Sequence, residues 1–268
     1  MDTTKRYPTD LTNAEWAQVA RVIPAPKKGG RPAKYERREI TNALLYITRA
    51  GCPWRMMPRD LPPWRIVYWY FMQWKKDGTF DRLMDLLRGD LRVAEGRNRQ
   101  PSAAIIDTQS VRTTEKGGPH GYDSGKGING RKRHILVDTL GLILSVVVHA
   151  ADIQDRDGAR LVLAPLRHRF ARLRLIIADS IYNGGIAEWV HALRARNKLR
   201  LEVRAKEPGA KTFKPIPLRW RVERTFAWLG RSRRLSKDYE GTTASSEAFV
   251  KLAMIHLMAR RLVRKLTF

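Results

Sequence analysis

Two short apolar runs, each closed by an acid, decide how this chain folds: Ala103-Ala104-Ile105-Ile106-Asp107 and Leu173-Arg174-Leu175-Ile176-Ile177-Ala178-Asp179. Runs of this length, rich in Ile and bounded by polar residues, read as buried strands. Between them, 132–138 and 142–150 flank Thr139-Leu140-Gly141 and read as a β-hairpin. The Gly-rich, polar stretch 112–131 carries neither period and reads as a loop. Asp155 or Asp157 caps a helix to about residue 169, 183–197 is a second helix, and 199–205 alternates as a fifth strand. A basic connector, 206–217, leads into a helix that holds Glu223, and alanine-rich 244–266 closes the chain as a long helix. Three strands followed by alternating helices and strands give an α/β domain. The hairpin makes its five-stranded sheet mixed rather than purely parallel.

Upstream, the texture is helical. Thr12-Asn13-Ala14-Glu15 has the form of a capping box, opening a helix to about residue 22. Residues 24–34 (PAPKKGGRPAK) form a basic Pro/Gly linker, and 35–50 carry Ile40, Leu44 and Ile47 at helical spacing. The 63–76 segment holds Trp64, Tyr68, Trp69, Tyr70, Phe71 and Trp74, which read as core packing of a small helical domain. A fourth helix covers about 80–91. The polar stretch 95–101 marks the boundary between a small all-α domain, 1–98, and the α/β domain, 99–268.

Charge narrows the partners. Against 52 Lys and Arg stand 26 Asp and Glu, a net charge of +26. A folded protein this basic repels itself unless a polyanion is present, so nucleic acid or an anionic membrane surface is the expected partner. No apolar run approaches the roughly 20 residues of a bilayer span, and the N-terminus lacks the apolar stretch of a signal peptide. The single Cys52 offers neither an internal disulfide nor a cysteine zinc site. A cytoplasmic, nucleoid-associated setting without membrane contact is the expectation.

In so basic a chain, lone acids at strand ends call for a reason. Adjacent parallel strands gather their C-terminal ends at one edge of an open sheet, where ligands bind. Carboxylates converging there repel one another unless a cation neutralises them, and all-oxygen ligation suits Mg²⁺ or Mn²⁺. The competing reading makes each Asp a helix cap or turn residue. Glu223 sits one position from the Val222, Phe226, Leu229 stripe and so borders the interior. Arg219, one turn earlier, would either hold a phosphate beside a metal or form a plain helix ion pair with Glu223. Asp138 and Asp152 are the rival acids; Asp138 precedes the hairpin turn. The six His show no metal spacing, and His134 and His149 fall in strands.

Three blocks then act together: Asp107-Thr108-Gln109-Ser110-Val111, the Ala178–Gly184 segment ADSIYNG, and the 219–229 segment RWRVERTFAWL. They resemble the catalytic blocks of small bacterial insertion-sequence transposases, in the branch named after insertion sequence five within the DDE class. Gly51-Cys52-Pro53-Trp54-Arg55, the 74–80 stretch, the 233–240 segment RRLSKDYE and the terminal helix are similar to that family as well. The chain departs from it in Ser180-Ile181 after the second Asp, and in Ile216 and Gly230 where the class carries Tyr and Lys.

The resemblance implies an RNase H-like α/β domain in which Asp107, Asp179 and Glu223 hold two Mg²⁺ or Mn²⁺ ions and cut and join DNA. It implies double-stranded DNA, transposon ends and target, as partner, and a homodimer or larger assembly on it. Between 194 and 237 there are fifteen Lys and Arg against three Glu, which reads as a phosphate-tracking surface: Arg219, Arg221, Arg224, Arg231, Arg233, Arg234 and Lys237. Arg31 and Lys34, in a segment resembling an AT-hook, would reach a minor groove, the alternative being a plain linker. Two other functions stay open at this point: a DNA-binding protein weak in or without catalysis, and a metal-dependent nuclease without strand transfer.

Overall fold

Strand β1 (Ala103–Arg112) begins where expected but does not stop at Asp107. It continues because β3 (Ile128–Asp138) pairs antiparallel along its whole length, from Ala104 opposite Asp138 to Arg112 opposite Gly130. Asp107 therefore lies in mid-strand, a correction to the expectation that it ends one. The computed structural model describes residues 6–26, 29, 33–193, 198–204 and 218–267. Arg31 and the connector 206–217 lie outside them.

The described residues form a mixed six-stranded sheet, one strand more than expected, in the order β2-β3-β1-β5-β6. The addition is β2 (Gly121–Asp123), three residues inside the expected loop that pair with the start of β3. The predicted hairpin forms between β3 and β4 (Ile143–Ala150), so β2 and β4 share one edge of β3. On the other side, β1 pairs parallel with β5 (Leu175–Ala178), and β5 pairs parallel with β6 (Arg200–Val203). Helices α5 (Asp155–Leu163) and α6 (Ile186–Leu193) close the core against alternate strand residues, Ala104, Ile106, Leu136, Ile176 and Ala178. Since strand side chains alternate, Ile105, Asp107, Ile177 and Asp179 belong to the opposite face.

The chain divides into two compact units. Residues 98–229 and 237–247 make one; the other takes both ends of the chain, 1–97, 230–236 and 248–268. That second unit differs from the expected boundary, which left the whole terminal helix with the sheet. In it stand α1 (Asn13–Ala20), α2 (Arg37–Ala50), α3 (Trp64–Lys76), α4 (Thr79–Ala94) and the greater part of α8 (Thr243–Leu266). The capping box forms as read: Thr12 accepts from Glu15 N–H while the Glu15 carboxylate takes the Thr12 N–H. Phe71 joins Trp54, Phe80 and Phe249 in a ring cluster with centroids 4.9–6.0 Å from Phe71. Burial of large rings of this kind dominates the stability of a small helical core. The core reading of the 64–74 aromatics holds for Phe71 and Trp74 but not for Tyr68 and Trp69, which are exposed.

Candidate active site

The strand register sets the site. Ala103 pairs with Leu175 and Ile105 with Ile177, and Asp107 and Asp179 each follow two residues beyond that last pair. Neighbouring strands lie about 4.8 Å apart, close enough for two carboxylates to repel strongly. The effect is visible in Asp107. Burial, reinforced by the charge of Asp179, pushes its pKa up to about 6, against the lowering pull of the Thr108 N–H, Lys126 and Arg219.

Each acid is also held in place. The Asp107 Oδ1 accepts the Thr108 N–H at 2.8 Å. Asp179 opens a 3-10 turn, Ser180–Tyr182, and its Oδ1 accepts the Ile181 N–H at 3.0 Å. The capping reading of Asp179 is therefore realised, by one oxygen; the other, Oδ2, receives Arg219 Nη2 at 3.3 Å. Arg219 thus turns to Asp179, whereas sequence spacing had offered Glu223 as its ion-pair partner.

Glu223 rides on α7 (Trp220–Gly230), which starts immediately after Arg219, the residue that meets Asp179. The helix is seated on the β3–β4 turn. Arg221 donates to the Thr139 carbonyl, Arg224 Nη2 to the Leu140 carbonyl at 2.9 Å, and Thr225 Oγ1 to the Gly141 carbonyl at 2.7 Å. Gly141 has φ +79°, and a Cβ there would meet Thr225 Oγ1 at 2.9 Å and the Trp228 ring at 3.2 Å, so the turn admits only glycine comfortably. Val222 and Leu229 are buried beneath α7, and Glu223 is exposed, with no hydrogen-bond or ion-pair partner among the described residues. Among those residues no three His, Cys, Asp or Glu side chains come together as a group that could hold a metal ion. The charge of Asp179 acts on Asp107, whereas Glu223 stands exposed on α7 and makes no contact with either Asp among the described residues.

The two adjacent acids nonetheless have the chemistry of a cation site. The raised pKa of Asp107 and the Arg219 guanidinium on Asp179 both answer the crowding of negative charge here. All donors are oxygens, as Mg²⁺ and Mn²⁺ prefer.

Of the basic residues expected on a DNA surface, Arg221 and Arg224 cap the turn carbonyls, and Arg224 also lies 4.5 Å from both the Trp220 and Trp228 ring centroids. Arg234 is 5% exposed, donates Nη1 to the Cys52 carbonyl at 3.0 Å and lies 4.9 Å from the Phe249 ring. Arg231, Arg233, Lys237 and Lys34 are exposed.

Sequence reasoning missed a polar network on the α5 face of the sheet. Thr108 Oγ1 donates to Asp155 Oδ2 at 3.0 Å, Lys132 Nζ lies 2.8 Å from Asp155 Oδ1, and Ser110 donates to Asp123 at 2.5 Å. Tyr182 meets His134 Nε2 at 2.9 Å, and burial holds the His134 pKa well below and the Tyr182 pKa well above their ordinary values. The signal was alternation: in Thr108, Ser110, Lys132 and His134 the polar residues recur every second position on one face.

Comparison with known proteins places this geometry. Residues 98–258, more than half of the chain, match the family described as "Transposase DDE domain", and residues 11–84 match "Putative transposase of IS4/5 family". The chain is 32% identical over 145 residues to the "Putative transposase for insertion sequence element IS402" of Burkholderia cepacia, a span covering 51% of this chain and 65% of that protein. It is 29% identical over 77 residues to "Uncharacterized protein y4sN" of Sinorhizobium fredii, covering 29% of this chain and 62% of that one. The chain thus spans less than two thirds of either relative.

Proposed function

The chain belongs to the transposase DDE domain family, and on that premise we propose that it is a DNA transposase whose cutting site is built on Asp107, Asp179 and Glu223. The observation that carries the reading is the pairing of charges at Asp107 and Asp179: burial, reinforced by the charge of Asp179, pushes Asp107 up to about 6. Such a pair costs the fold free energy, and a divalent cation between the carboxylates removes that cost.

Asp107 and Asp179 would hold Mg²⁺ or Mn²⁺, with Glu223 as the third carboxylate. Bound in a pair, such ions lower the pKa of a water or a 3′-hydroxyl and stabilise the departing oxygen of the scissile phosphate. The chain's own groups supply position. The Thr108 and Ile181 N–H groups fix one oxygen of each Asp, and Arg219 meets the second oxygen of Asp179. Arg219, which now meets Asp179, would be the group to hold a DNA phosphate beside the carboxylates. The turn contacts of α7 fix the helix that carries Glu223 to the β3–β4 turn. No side chain needs to attack phosphorus, so no Ser or Tyr nucleophile enters.

The net charge of +26 supports double-stranded DNA, as transposon end and as target, for the partner. Arg219, Arg231, Arg233, Lys237 and Lys34 are the described residues for the phosphate surface, with Arg31 in the linker segment. Pairing of two ends calls for a dimer or larger assembly, in the bacterial cytoplasm and at the nucleoid. Among the described residues no helix is long and apolar enough to cross a membrane.

The test is incubation with end DNA, target plasmid and Mg²⁺. Nicked ends and joined products are expected, both lost with a chelator. Nicks without joined products would give the metal-dependent nuclease; binding without either would give a DNA-binding protein that has lost the chemistry.

A further inference from the structure

Helix α3 buries Val67, Phe71 and Trp74 and turns other rings outward. Trp69 is 54% exposed. Beside it lies a pocket of about 310 Å³ walled by Lys34, Tyr35, Arg65, Ile66, Trp69 and Tyr70, with no acid among them. Its rings are fixed. Trp69 meets Tyr70 edge to face at 4.8 Å and 83°. The Arg37 guanidinium lies 4.4 Å from the Tyr70 centroid and donates Nη1 to the Tyr70 hydroxyl at 2.6 Å. Lys34 Nζ stands 5.6 Å from the Tyr35 ring and the Arg65 guanidinium 5.1 Å from Trp64, so cations rim the opening.

A single exposed indole needs no explanation. A concave wall of held rings with a cationic rim does, because it is complementary to a flat ring that carries an anion. An apolar segment of a second copy would cover the rings but leave the rim uncompensated. We infer that this pocket receives one unpaired nucleotide of a DNA strand, its base against Trp69 and Tyr70 and its phosphate against Lys34 and Arg65. A base inside a duplex has both faces stacked and cannot present one to Trp69, so the nucleotide must be unpaired, at a strand end or an opened step. The volume stands at the small end of ligand cavities, about 300–1,000 Å³, and suits one base rather than a stacked run. The inference rests on the reading of the chain as a DNA-acting protein.

The experiment measures anisotropy of two labelled probes, a short oligodeoxythymidylate and a blunt duplex, with the full chain over a range of salt. Trp69→Ala is expected to weaken the single strand about tenfold, with the duplex held within about twofold and the salt slope unchanged. Trp69→Phe restores most of the loss. Lys34→Ala lowers the single-strand salt slope by about one phosphate's worth. Equal losses on both probes, or none on the single strand while the duplex binds normally, overturn the pocket and leave the transposase reading standing. Wild-type protein that binds neither probe overturns both. Should Trp69→Ala fail to fold, Arg65→Ala at the exposed rim carries the same test on the single strand, and an unchanged affinity there overturns the pocket.

Discussion

Two carboxylates of the α/β unit, Asp107 and Asp238, stand in opposite circumstances. Asp238 is 2% exposed, and everything around it is a donor. Arg131 Nη1 lies at 3.1 Å, Ser246 Oγ at 2.7 Å and the Glu240 N–H at 3.0 Å. Arg131, fully buried, is in turn held by the Pro119 and Glu240 carbonyls. Asp107 has a backbone N–H on one oxygen and a second carboxylate for a neighbour, and its pKa is pushed up to about 6. A buried acid with its full set of donors is a strut. One that is short of donors and crowded by like charge is strained, and the proposed function draws on that strain. That contrast, more than the presence of acids as such, separates structure from chemistry in this chain.

The contrast can be broken most sharply by activity. Asp107→Ala or Asp179→Ala is expected to lower end cleavage by at least about a thousandfold with DNA affinity kept, since the ligands of the catalytic ions act together. Near wild-type nicking by either variant in Mg²⁺ removes the assignment. Next in size, Asp238→Ala strands the Arg131 guanidinium in the interior and should cost about 3–5 kcal/mol in denaturant melts. A loss under about 1 kcal/mol would mean that Asp238 is no strut.

Asp107→Asn should do the reverse and stabilise the protein. The folded pKa of Asp107 lies above its unfolded value of 3.8, so the fold binds this proton more tightly than the open chain does. Its contribution is fully present below about pH 4 and lost as pH rises through about 6. The wild type should therefore lose up to about 3 kcal/mol across that window relative to Asp107→Asn. Mg²⁺ should restore the wild type alone, at pH 8 but not at pH 5. Identical pH profiles for the two proteins would cancel the idea of a strained acid. The smallest effect is expected at the hinge of the comparison. Gly141→Ala forces a φ of +79° on alanine and presses on Thr225, costing about 1–3 kcal/mol and lowering cleavage more than DNA binding as α7 shifts.

Much of this was legible in residues that act locally. The Thr12–Glu15 capping box, the Ile40, Leu44, Ile47 stripe and the hairpin around Thr139-Leu140-Gly141 all formed as read, because each is decided within a few residues. The place of Asp179 at a strand end is legible for the same reason: four apolar residues precede it and a turn follows. What stayed hidden depends on partners distant in sequence. The basic run Arg131-Lys132-Arg133 looks like surface. It is buried strand, because Asp238 and Asp155 arrive from elsewhere to neutralise Arg131 and Lys132. Once that strand is buried, β1 has something to pair with beyond Asp107 and grows accordingly. Arg219 was matched to Glu223 by helix spacing, and tertiary structure gave it Asp179 instead. Arg234 read as one more cation in a charge-rich run, with nothing local to say that Cys52 and Phe249 would enclose it.

The helical unit draws on both ends of the chain, with Phe249 stacked on Phe71. During synthesis, then, residues 1–97 leave the ribosome long before 248–268, and the ring cluster around Phe71 stays open until the last stretch is made. The sheet unit, complete at Glu247, is free to fold first. A chain that stops before residue 249 therefore keeps every residue of the sheet unit and loses Phe249 from the ring cluster of the helical one.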